Sequence, residues 1–127
     1  MALTADNARD IADQFLDAAK AIDQYLDDNF RGMTRPEYET LSESQKPLLR
    51  VSAFMTAVAV GLSIEQMADD AAELVQVIAE AKESLAQLEA VGRGIRIAAG
   101  LVDLATAIMA KDPGAIFKAA NNLRELL

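Results

Sequence analysis

Apolar side chains recur along this chain at steps of three and four residues, and the rhythm is punctuated by capping residues, glycine and proline. Ala8, Ile11, Phe15, Ala18 or Ala19, Ile22, Leu26 and Phe30 form one stripe of a helix predicted over 5–30, with Thr4 as N-cap. Gly32 marks its end, and Thr34-Arg35-Pro36-Glu37 reads as a capping box with proline in the next first turn. A short helix over 35–43 carries Leu41 and stops at Ser44-Gln45-Lys46-Pro47, where Ser44 is placed to cap a restart. A helix over 47–61 follows, ended by Gly61.

Ser63-Ile64-Glu65-Gln66 is a second capping box, opening a helix over 64–91. Along it Ile64, Met67, Ala71, Leu74, Ile78, Ala81, Leu85 and Leu88 make a heptad seam. Gly92 and Gly94 read as an interhelix hinge, since two glycines disfavour a helix interior. A helix over 95–111 comes next. Asp112-Pro113 then caps and starts a last one over 113–126, with Ile116, Ala120, Leu123 and Leu127 on its inner stripe. No segment alternates with period two, so the expected fold is all-α: a single-domain antiparallel bundle of four to five helices.

The predicted helices differ in kind. The first has an aspartate stripe, Asp6, Asp10, Asp13 and Asp17, opposite its apolar face, and the 64–91 helix exposes Glu65, Asp69, Glu73, Glu80 and Glu83. Residues 1–30 sum to a charge of −5 and 65–89 to −6, whereas 90–127 sum to +2. By contrast, 48–60 and 95–109 are apolar or small nearly all round, a composition that asks for burial on most sides. Two such helices exceed what the others can cover. Phe54, Val58, Leu62, Ile97, Leu101, Leu104 and Ile108 are therefore the candidate apolar packing or membrane-facing residues.

A chain of 127 residues makes one ordinary domain, and its 52% apolar content argues against disorder. Composition narrows the chemistry further. Without cysteine or histidine there is no disulfide, thiolate nucleophile, imidazole base or His/Cys metal site. A net charge of −8 disfavours a phosphate-backbone partner. The start, Met1-Ala2-Leu3-Thr4, has neither a basic nor an apolar leader region, so a cytoplasmic location is the default expectation.

Asp69, Asp70, Glu73, Glu80 and Glu83 resemble a magnesium cluster only loosely, because all lie on one helix with no facing carboxylates predicted. A serine–lysine dyad has candidate serines but no spacing that selects one. No metal, cofactor or catalytic residue is assigned. The candidate partner-binding residues are the stripe Asp6, Asp10, Asp13 and Asp17, together with Arg31, Arg35 and Tyr38 in the connection after the first helix.

The function expected from these features is a non-catalytic helical interaction module, taking a protein partner or a second copy of itself and no nucleic acid. The alternative is a membrane-active protein exposing its two apolar segments as a hairpin. Against it, neither run reaches about 18 uninterrupted apolar residues, and Arg50 and Asp103 would be expensive in a bilayer. A carboxylate- or magnesium-dependent enzyme is the third and weakest reading.

Overall fold

The computed structural model describes residues 5–58, 71–87, 91–110 and 112–127. They form five helices and no strand: α1 (Ala5–Asn29), α2 (Arg35–Val58), α3 (Ala71–Gln87), α4 (Val91–Met109) and α5 (Pro113–Leu126), with a single 3-10 turn at Phe30–Gly32. The expected all-α bundle is the observed fold. α1 packs against α2 and α3, while α4 packs against α2 and α5 and touches α3.

Two of the expected helix starts are built as the sequence implies. At α2 the Thr34 amide donates to Glu37 Oε1 at 2.8 Å and the Glu37 amide donates to Thr34 Oγ1 at 3.3 Å, a reciprocal capping box. At α5, Asp112 Oδ1 accepts from the Ala115 amide at 3.2 Å, with Pro113 in the first turn where its missing N–H is harmless. Thr4, Gly61 and the Ser63 box lie outside the described residues.

One core cluster draws on every helix: Phe15 and Ile22 of α1, Leu41 and Leu48 of α2, Ile78 and Leu85 of α3, Leu101 and Leu104 of α4, and Ile116 and Leu123 of α5 are all buried. No polar or charged residue among those described is buried with them. The heptad seam holds where it is described, since Leu74, Ile78, Ala81 and Leu85 are buried, and Ile64, Met67 and Leu88 lie outside.

Three expectations need correction. The break at Ser44–Pro47 does not exist: α2 runs unbroken from Arg35 to Val58 with Pro47 inside it. Proline removes a helix bond and costs about 3 kcal/mol in an interior. The buried positions Leu41, Leu48 and Val51 nevertheless keep helical spacing across it. A break would surrender that packing. Ser44 caps nothing and donates to the Leu41 carbonyl at 2.5 Å, while Gln45 Nε2 ties α2 to the Ala19 carbonyl of α1 at 3.0 Å.

The glycine hinge is also absent, because α4 begins at Val91 and both Gly92 and Gly94 lie in its opening turns. Gly94 is a packing residue. A Cβ built there would sit 3.0 Å from Cε1, Cζ and Oη of Tyr25, so its lack of a side chain lets α4 close on the α1 ring. Finally, Phe30 leaves the apolar stripe. The chain tightens into a 3-10 turn after Asn29, rotating Phe30 outward until 52% of it is exposed.

Candidate interaction surface

The expected surplus of apolar helix surface is resolved differently in the two apolar segments. In α4 the large side chains that are fully buried share one face: Ile97, Leu101, Leu104 and Ile108 lie in the chain's own core. Its outer face carries Arg96, Ala99, Asp103 and Thr106, all exposed, and exposed Arg93 donates to the Leu126 carbonyl at 3.2 Å. The exposed residues that made α4 read as apolar all round are thus small, Gly92 and Ala99, while Ile95, Val102 and Met109 are half-buried on its flanks. In α2 Leu48 and Val51 are buried, Phe54 is half-buried, and Leu49 is 47% exposed beside exposed Ala53. The Val58 side chain and Leu62 lie outside the described residues.

The aspartate stripe is not uniform either. Asp10 and Asp13 are exposed, whereas Asp17 is half-buried and faces Lys82 Nζ of α3 at 3.6 Å. Lys82 also reaches Gln14 Oε1 at 3.4 Å, which makes it a polar clasp between α1 and α3. Sequence reasoning missed this role, although Lys82 is the lone base in an acidic helix. The side chain of Asp6 lies outside those described.

Arg31 and Arg35 are both engaged locally. The Arg31 guanidinium sits 5.7 Å from the Phe30 ring centroid, a cation–π contact, and Arg35 Nε bonds Glu39 Oε1 at 3.0 Å on an open surface. Tyr38, 44% exposed, is not covered. Exposed Phe117 of α5, at 61%, was not singled out by its sequence, since a lone aromatic off the inner stripe gives no signal in a helical pattern.

Two furrows border the outer face of α4. One, of about 280 Å³, runs between α2 and α4 past Pro47, Ile95, Ala99 and Val102. The other, of about 350 Å³, lies between α4 and α5 past Thr106, Ala110, Ala115 and Lys118, and Asp103 lines both. Neither gathers a set of groups suited to acid–base chemistry. Among the described residues no three carboxylates converge to hold a metal ion, and no helix is long and apolar enough to cross a membrane.

Among the described residues the one perturbed titratable group is Tyr25. Its ring is buried against Gly94, and its hydroxyl is buried without a hydrogen-bond partner among the described residues. Burial, with a smaller contribution from the nearby Glu37 carboxylate, raises this phenol above its ordinary value of 10.0. A neutral, inaccessible phenol has no evident catalytic use here. Compared with known proteins, the chain matches no family model, no curated protein and no solved structure.

Proposed function

We propose that this protein is a non-catalytic helical interaction module that works by docking onto another protein chain. The observation that carries the reading is the placement of its aromatic residues. Of four phenylalanines and two tyrosines, three side chains, Phe30, Tyr38 and Phe117, stand exposed on a bundle whose core is otherwise closed. Aromatic side chains gain most from burial and are favoured anchors at interfaces. Leaving half of them in water is unfavourable for an isolated chain.

The acidic layer made by α1 and α3 adds long-range attraction for a basic surface, which acts on encounter rate more than on final affinity. The test combines light scattering over a wide concentration range with affinity capture from the native host. Self-assembly, or a defined partner lost in the Tyr38→Ser and Phe117→Ser variants, is the expected result. A strict monomer that captures nothing would refute the module.

A further inference from the structure

We infer that the partner of the α4 outer face is a second copy of this chain, docked antiparallel about a two-fold axis passing between Ala99 and Gly100. This deepens the interaction-module reading and rests on it. The argument starts from charge order along one stripe. Arg96 lies in its N-terminal half and Asp103 and Thr106 in its C-terminal half, all exposed, with Ala99 between them, while Arg93 sits off the stripe and donates to the Leu126 carbonyl at 3.2 Å. Among the described residues Arg96 and Asp103 make no hydrogen bond or ion pair. Seven residues separate them, which is about 10.5 Å along the helix axis, too far to pair with each other.

A two-fold axis at this midpoint exchanges position 96 with 103. Arg96 of each copy then meets Asp103 of the other, twice over. A parallel arrangement would set arginine against arginine. The stripe is therefore complementary to itself in one orientation and one register, the property an isologous contact requires. The side chains at the centre suit close approach: Gly92, Ala99 and Thr106 repeat every seven residues, so no large group holds two α4 helices apart. The furrows on either flank put Pro47, Ile95 and Val102 beside the same contact, supplying apolar surface for it to cover.

The native chain has no cysteine, so a single introduced thiol gives a clean readout. Mild oxidation of the Ala99→Cys variant should yield a disulfide-linked dimer, because residues next to a two-fold axis bring their Cβ atoms within bonding range. The Ala53→Cys variant, on the outer face of α2, should not. In sedimentation equilibrium at low salt, Arg96→Asp and Asp103→Arg should each weaken dimerisation about tenfold, since each creates two like-charge encounters. The double variant should restore it. All these positions are exposed, so circular dichroism should report intact helix throughout. A dimerisation constant unmoved by the charge reversals, or equal cross-linking at both positions, overturns the α4 contact and leaves the module reading standing. A monomer at every concentration also overturns the contact, and the module reading falls only if capture from the host returns nothing as well.

Discussion

The second half of α2 and the length of α4 are composed alike, each a run of aliphatic and small residues with few charges. They end in different situations. α4 buries Ile97, Leu101, Leu104 and Ile108 on one face and half-buries Ile95, Val102 and Met109 beside them, while α2 places Leu48 and Val51 inward and leaves Leu49 nearly half exposed. The difference lies in where the bulk sits on the helical wheel. A helix whose apolar residues include several alanines and glycines can satisfy most of its large side chains with a single face and its flanks. Total apolar content overstates the surface that needs a partner.

The comparison is broken most forcefully in α4. Leu101 is fully buried in the shared core, so Leu101→Ala should destabilise by about 2–5 kcal/mol, the sum of lost transfer energy and an unfilled cavity. Urea unfolding followed by circular dichroism measures it. A loss below about 1 kcal/mol would mean that this core is loosely packed and that α4 is no better buried than α2.

Next comes the glycine that lets α4 approach. Gly94→Leu drives a side chain into the buried Tyr25 ring, where even a Cβ stands at 3.0 Å, and overpacking of this kind costs about 1–3 kcal/mol. Gly92 offers the internal control. A Cβ there meets nothing within 4 Å, so Gly92→Ala should be neutral or raise the melting temperature slightly through helix propensity. Equal responses at the two positions would remove the packing role assigned to Gly94.

These glycines also show how far the sequence could be read. Stripe positions, capping residues and the acidic faces follow from local spacing, and among the described residues the Thr34–Glu37 box and the Asp112 cap start helices as read. The roles of Pro47 and Gly94 depend on partners remote in the chain. A proline is a break unless Leu41, Leu48 and Val51 are all held by neighbouring helices, and a glycine is a hinge unless a ring such as that of Tyr25 fills its place. The same limit applies to the surface. The sequence could name Tyr38 because polar residues surround it, although the structure sets it in the first turns of α2, whereas Phe117 and the order of charges on α4 acquire meaning only once the exposed faces are known.

Tyr25 shows that the tight seat of α4 is not free of local strain. Its hydroxyl is buried and unpartnered among the described residues, so Tyr25→Phe should stabilise by about 1 kcal/mol near neutral pH. The pH dependence has a definite sign. With the phenol raised above 10.0 by burial and by Glu37, the folded state favours the neutral form. That stabilisation is fully present below the unfolded value and is lost as pH rises through the raised one. Thermal unfolding of the two proteins should diverge further above about pH 10, with the phenylalanine variant ahead. An unfavourable Tyr25→Phe at neutral pH would indicate that the hydroxyl has found a partner.

The smallest effect is expected at Leu49, and its smallness is what gives it weight. A leucine 47% exposed on the outer face of α2 contributes only part of its side chain to folding. Leu49→Gln, which keeps helix propensity almost unchanged, should therefore shift stability by no more than about 0.5 kcal/mol. In an isolated monomer nothing else should follow. If the exposed apolar positions serve docking, the same substitution weakens the protein's association with its partner while leaving the urea midpoint of the monomer in place, which separates an interface residue from a core one. A loss above about 2 kcal/mol on unfolding, as large as that at Leu101, would instead show that Leu49 is covered within the folded chain and that α2 and α4 are buried alike.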